Sequence, residues 1–259
     1  MDIKILVATH KKYWMPEDKM YVPIHVGKLG KSDMGFMGDD TGDNISIKNS
    51  NYCELTGLYW AWKNLDAEVI GLVHYRRHFV NKKKLIESLE FKKKNILKKE
   101  QIEFIFKSYD IITPNKRKYY IETNRSHYCH AHYAEGLDLT GQIVGEMFPE
   151  YKLSFDKVMD RTSAHMFNMF IMRKQRFDEY CAWLFAILFE LEKRLDFSEY
   201  SPGEARVFGY ISEMLFDVWL DYHQYPYYEV AVSFMEKQNW LIKGGNFLKR
   251  KIWSRCCKR

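Results

Sequence analysis

Nothing in this chain is long and apolar enough to span a bilayer. The greasiest run, Tyr180 to Leu191, is about a dozen residues flanked by charge, where a spanning helix needs roughly 20. The opening residues Met1-Asp2-Ile3-Lys4 are too charged for a secretory signal. Cysteine is sparse and unpatterned. Cys53, Cys129, Cys181, Cys256 and Cys257 have neither disulfide-framework nor metal spacing, which excludes a stapled secreted scaffold and points to reduced thiols in the cytoplasm. Internal repeats and low-complexity linkers are absent, so one domain is expected over residues 1–242. Acid is missing from the end of the chain: residues 243–259 hold seven Lys or Arg and no Asp or Glu. Subtracting that tail from the formal charge of +6 leaves a body of about −1, which excludes a nucleic-acid-binding face spread over the domain. The tail places Leu248, Ile252 and Cys256 at i, i+4 and i+8 beside Trp253, and reads as a segment that docks on an anionic membrane surface.

What is present is core material: 46% apolar and 16% aromatic residues, enough to exclude intrinsic disorder. Ile3 to Thr9 reads as a first strand, and residues 27–51 as a long Gly/Asp/Asn-rich loop. Leu55, Leu58, Tyr59 and Trp62 have helical spacing, with Asn51 and Glu54 resembling a capping box. Gly57 and Ala61 lie on nearly the same side as Glu54 and would let a ligand or backbone approach. Val69–His74 is a second strand, 82–99 a solvated helical insertion, 109–114 a strand stopped by Pro114, and 119–133 a loop. A strand at 166–174, a buried helix at 177–195 and a helix at 205–220 with Val207, Ile211, Leu215 and Val218 inward complete the pass. Alternating strands and helices predict an α/β fold around a mixed, mainly parallel sheet flanked by helices, with a helical C-terminal part.

In such a sheet, ligands bind beyond the carboxyl ends of the strands. Two of those ends are cationic: Thr9-His10-Lys11-Lys12 and His74-Tyr75-Arg76-Arg77. Guanidinium forks match phosphate oxygens, so a phosphate-bearing ligand fits; pairing of Arg76 and Arg77 with acids at 39–43 or 82–107 is the alternative. The acids around Asp39, Asp40 and Asp43, with Asn44, are explained by turn chemistry better than by a divalent ion. His127, His130 and His132 lack zinc-site spacing and are expected to bind sugar hydroxyls or phosphate. Arg206, Glu213 and Asp217 share the polar face of the last helix, which is a solvated face unless it lines a cleft. Lining one, Glu213 becomes a carboxylate base, with Glu204 a competitor.

Several longer runs, "ILVATHKKYWMP", "GDNISIKNSNYCELTGLYWAWKN", "GLVHYRRHF", "YDIITPNKRKYYIET", "RTSAHMFNMFIMRKQRFDEYCAWLF" and "ARVFGYISEMLFDVWL", resemble the bacterial capsular and exopolysaccharide biosynthesis proteins grouped as domain of unknown function 4422. The resemblance covers nearly the whole chain. It implies a glycosyltransferase-like protein of GT-A (Rossmann-like) type, acting in galactofuranosyl or other hexosyl transfer. It further implies a nucleotide diphosphate sugar donor, a lipid-linked glycan acceptor, and a cytoplasmic location on the inner face of the membrane. Where GT-A enzymes carry a metal-binding Asp-x-Asp, this chain has His74-Tyr75-Arg76. Fixed cations can neutralise a departing diphosphate in place of an ion, so no obligatory cofactor is expected, although Mg or Mn is compatible. On this resemblance the donor is bound by Thr9, His10, Asp43, Asn44, Glu54, His74, Tyr75, Arg76 and Arg77. Sugar or acceptor contacts come from His127, His130, His132, His165, Asn168 and Arg206, and Glu213, then Glu204, supplies the base. A non-catalytic nucleotide- or glycan-binding subunit and a sugar-phosphate transferase are the rival readings.

Overall fold

The computed structural model describes residues 1–84 and 87–236, and the expected tail docking at 243–259 lies outside them. The chain runs β1 (Ile3–Thr9), β2 (Tyr21–His25), β3 (Met37–Gly38), α1 (Asn49–Tyr52), α2 (Leu55–Asn64), β4 (Val69–His74) and β5 (Arg77–Val80). Then follow α3 (Leu89–Lys94), α4 (Lys99–Ile105), β6 (Ile111–Pro114), β7 (Arg117–Lys118), α5 (Asn124–Ala131), α6 (Ala134–Met147) and α7 (Lys152–Asp160). The remainder is β8 (Ser163–Ala164), β9 (Phe170–Arg173), α8 (Lys174–Arg194), α9 (Val207–His223) and β10 (Tyr227–Phe234).

Eight strands form one sheet in the order β3-β2-β1-β4-β5-β10-β6-β9, while β7 and β8 pair as a separate ribbon. The sheet is mixed, not mainly parallel. Its β1–β2, β1–β4, β2–β3 and β6–β10 pairings are parallel, and β4–β5, β5–β10, β4–β9 and β6–β9 are antiparallel. Two features create the antiparallel half. Only Tyr75 and Arg76 separate β4 from β5, a span too short for a parallel crossover, and β9 returns alongside both β4 and β6. The strands β4, β5, β10, β6 and β9 thereby close a five-stranded circuit.

The central strands are apolar on both faces because both are covered. In β1, Ile3, Ile5 and Val7 enter one core, and Leu6 and Ala8 enter the other, as a two-residue period requires. The larger core is built by α2 and α6–α9. The smaller is closed by Ile96, Leu97, Ile102 and Phe106; in the segment expected as a solvated helical insertion, α3 buries no residue, and only Ile96 and Leu97 after it turn into the core.

Other expectations also shift. The helix at 51–64 breaks at Cys53 (φ 54°, ψ −128°), and Asn51 makes no capping box; its amide donates to the Ala205 carbonyl at 2.8 Å. Gly57 admits the sheet, not a ligand: a Cβ there would lie 2.9 Å from Val26 Cγ1. Residues 124–131, expected as loop, are α5, capped by the Thr123 hydroxyl accepting from the Ser126 N–H. The strand expected over 166–174 starts only at Phe170, because Phe167 (φ 82°) and Asn168 (φ 49°) occupy left-handed conformations.

Candidate active site

Strands β1 and β4 run parallel with Ala8 opposite His74, so their carboxyl ends open at one place. Thr9 is buried there, but its hydroxyl donates to the Lys11 carbonyl at 2.6 Å and shapes the turn instead of facing a ligand. Beyond it, three cationic or titratable side chains gather on the Tyr75 ring: His10 edge-on at 5.4 Å, Lys11 at 5.1 Å and Arg76 at 5.7 Å. Glu236 reaches two of them, Lys11 at 3.3 Å and Arg76 at 3.6 Å, in partly exposed pairs of small energetic value. Burial, then Lys11, Arg76, Lys31 and Arg206, pushes the His10 pKa down and keeps its imidazole neutral at pH 7.

Arg77 starts β5. Its guanidinium lies over the Phe167 ring at 4.5 Å and the Phe234 ring at 5.6 Å, and its Nε is buried without a hydrogen-bond acceptor. Burial, then Arg76, lowers its pKa, while Glu213 and Glu54 oppose that shift. The acids expected to absorb Arg76 and Arg77, those at 39–43 and 82–107, do not: Arg76 meets Glu236, and Asp39 instead accepts from the Gly27 and Lys28 N–H groups.

The floor of the cleft comes from α9. Arg206, Tyr210, Glu213 and Asp217 recur at steps of four, three and four, which aligns them on one helix face. That face is solvated at one end only: Arg206 is exposed, Tyr210 and Glu213 are half-buried, and Asp217 is 2% exposed. Burial pushes the Glu213 carboxyl up to about 8, with the nearby Glu54 charge next, against the Phe167 N–H, Arg77 and Arg117. Glu54, just ahead of α2, accepts from Asn168 Nδ2 at 2.8 Å and lies 4.0 Å from His74 Nε2. His74 in turn donates from Nε2 to the Phe167 carbonyl at 2.6 Å, and burial lowers its pKa.

Asn168 departs from its expected role. Its Nδ2 donates to both Glu54 and the Gly209 carbonyl (3.0 Å), its Oδ1 accepts from Ser212 (2.8 Å), and it is 5% exposed. With its amide so committed, it clamps the strained Phe167-Asn168 turn to α2 and α9 and has no free group for a sugar. Two consecutive left-handed residues store about 1–3 kcal/mol each, held by this clamp.

The remaining residues divide. Arg206 donates from Nε to Cys53 Sγ at 3.0 Å, beside the Glu54–Glu213 pair. Glu204 pairs with His132 at 3.2 Å, and His132 stacks on Tyr210 at 3.9 Å, so Glu204 sits already partnered just ahead of α9, nine residues before Glu213. His127 and His130 both bond the buried Glu122, at 3.1 and 3.0 Å, on a helix rather than a loop. His165, expected as a sugar or acceptor contact, lies 2% exposed between Asp217 (2.6 Å) and Glu229 (3.2 Å). Asp43 accepts from the Tyr59 hydroxyl at 3.1 Å and Asn44 closes a local turn onto Ser46, tying their loop to the C-terminal half of α2 and away from the strand ends. Sequence reasoning missed Arg117, Phe167 and Cys53. The cationic run Lys116-Arg117-Lys118 carried a signal for Arg117; a phenylalanine contributing its backbone carries none. Among the described residues, no three His, Cys, Asp or Glu side chains are placed to share a metal ion.

The fold and this site define an α/β protein with a cationic rim over half-buried carboxylates at the carboxyl ends of parallel strands, the usual place for a phosphate-bearing ligand. Residues 4–224 match the family described as Domain of unknown function (DUF4422), and the chain belongs to that family. It is similar to the apo structure of the WbbM bifunctional glycosyltransferase, with 33% identity and a TM-score of 0.84, over 92% of this chain and 46% of that one. The chain thus spans about half the length of that relative. No curated protein sequence matches it.

Proposed function

We propose that this chain is a GT-A-type glycosyltransferase. It moves a hexosyl unit, galactosyl or galactofuranosyl, from a UDP-sugar to a growing capsular, exopolysaccharide or O-antigen glycan on a lipid carrier at the cytoplasmic face of the membrane. Family membership and the likeness to WbbM support the class of reaction. The observation that carries the chemistry is Glu213, a half-buried carboxyl with its pKa pushed up to about 8 by desolvation, near Arg77 at the strand ends. Arg77, with an unpartnered Nε, and Arg76, His10 and Lys11 across the hairpin offer donors to the diphosphate. In transfer, the anomeric carbon–oxygen bond breaks, and the nucleotide diphosphate leaves with the electron pair, its charge neutralised by these cations. The acceptor hydroxyl oxygen forms the new bond, and its proton passes to Glu213, whose raised pKa suits a base near neutral pH. Glu54, Asn168 and His74 hold the floor in place.

A screen of nucleotide sugars identifies the donor, since a ligand at 100 times its Kd stabilises the native state by about 2.7 kcal/mol. With that donor, Glu213→Gln is expected to lower kcat by about 10²- to 10⁴-fold while calorimetric donor affinity holds. Glu204→Gln changes kcat little, and transfer continues in EDTA. Full transfer by Glu213→Gln would overturn the catalytic assignment; loss in EDTA with rescue by manganese would overturn the metal-independent mechanism.

A further inference from the structure

Beside the cleft, a short turn holds two large apolar side chains out into solvent: Tyr120 is 81% exposed and Ile121 73%. Its flanks are anchored. Tyr119 is buried and donates its N–H to the Thr162 carbonyl at 2.8 Å, and the buried Glu122 holds His127 and His130. Between them the Ile121 N–H donates back to the Tyr119 carbonyl at 2.7 Å, which leaves Tyr120 at φ 62°. A three-residue turn with a left-handed centre is a strained form, and glycine or asparagine would adopt that φ more easily. The chain therefore bears both backbone strain and exposed apolar surface to project a tyrosine and an isoleucine.

The segment itself carries charge of one sign, and the acid beside its start, Glu229, accepts from the Lys116 N–H and pairs with His165. Arg117 and Lys118 are exposed, Lys116 is half-buried, and residues 115–121 include no acid, while Glu122 turns inward. A saccharide has little to offer an exposed isoleucine among cations, whereas an anionic bilayer complements every part of it. Basic side chains meet the lipid phosphates, the tyrosine ring sits at headgroup level, and the isoleucine enters the acyl boundary.

We propose that Lys118, Tyr120 and Ile121 form a membrane-contact lip that seats on an anionic phospholipid surface. The Tyr119 hydroxyl of the same segment donates to Met166 Sδ at 3.0 Å, next to Phe167 at the strand ends, so the lip brings the mouth of the cleft to the bilayer. That last consequence rests on the proposed transfer to a lipid-linked acceptor; the docking itself does not.

The test is co-sedimentation of the full chain with vesicles of phosphatidylcholine containing phosphatidylglycerol, with no sugar donor present, so its outcome is separate from that of the transfer assay. Lys118→Gln is expected to weaken partitioning by about five-fold, the value of one cation at such a surface. The double variant Tyr120→Ser with Ile121→Ser should lose at least as much at unchanged melting temperature, and Tyr120→Trp, which favours the interface, should keep it. Partitioning of the Lys118→Gln and serine variants equal to that of the unmodified chain would overturn the proposal, as would failure of the unmodified chain to sediment with anionic vesicles.

Discussion

At the scale of single residues, the site is set by groups kept from their usual partners. Arg77 is half-desolvated over two aromatic rings with its Nε unbonded, an arrangement that helps an arriving anion and does nothing for the empty fold. Charge-assisted hydrogen bonds contribute about 1.5–3 kcal/mol. Arg77→Met is accordingly expected to weaken UDP-sugar binding about 10- to 150-fold by calorimetry, while the melting temperature of the unliganded protein stays level or rises. A clear fall in melting temperature would mean that the arginine serves the fold. This cluster was legible in the sequence, because a buried strand ending in His74-Tyr75-Arg76-Arg77 is chemically conspicuous. Asn168 and His165 were visible as polar residues near a strand, but their partners were not. Whether a polar side chain is spent internally depends on Ser212, Gly209, Asp217 and Glu229, none of which is its sequence neighbour.

At the scale of elements, α2 carries Glu54 to the cleft by lying close on β2, and Gly57 permits the approach, with Val26 and Ile24 where its side chain would be. Gly57→Val should cost about 1–3 kcal/mol in urea denaturation through overpacking, and should lower kcat because Glu54 moves with the helix. Gly203→Ala, at a position with nothing within 4 Å of the added methyl, is the neutral control. Helices α8 and α9 and strands β1, β4 and β6 followed from hydrophobic period alone. The polar α5, "NRSHYCHA", has no apolar stripe to announce it. It is fastened by a cap at Thr123 and by the Asn124 amide donating to the Val158 and Ser163 carbonyls. The break at Cys53 is likewise made by side chains, with the Asn49 amide donating to the Cys53 carbonyl at 2.7 Å.

At the scale of the molecule, the buried titratable groups pull stability in opposite directions with pH. Glu213, raised from 4.5 to about 8, is bound to its proton more tightly when folded, so stability falls as pH climbs between those values. His165, held above its ordinary 6.5 by Asp217 and Glu229 against the opposing effect of burial, contributes stability below 6.5 that is lost as pH rises through its folded value. On the acid side, burial lowers His78 to about 4 and also lowers His74; their contribution is complete above 6.5 and fades as pH falls. Glu122, Asp221 and Glu229, held low by their cationic partners, lose theirs at still lower pH. Thermal unfolding between pH 5 and 9 should therefore show maximum stability near about pH 6.5, where the histidine contribution is complete and the Glu213 loss is partial. Glu213→Gln should flatten the alkaline side; an unchanged slope would place the titration elsewhere.

The α/β class, the apolar burial of β1 and β4, the amphipathic long helices and the cationic strand ends were all legible in the sequence. These follow from hydrophobic period and residue chemistry within a window of a few residues. Packing set the mixed sheet, the partial burial of the polar face of α9, and the raised pKa of Glu213. Those outcomes depend on contacts between residues over a hundred positions apart, such as Asn168 with Glu54. Burial, which moves the Glu213 pKa, belongs to the packed molecule and to no segment of it.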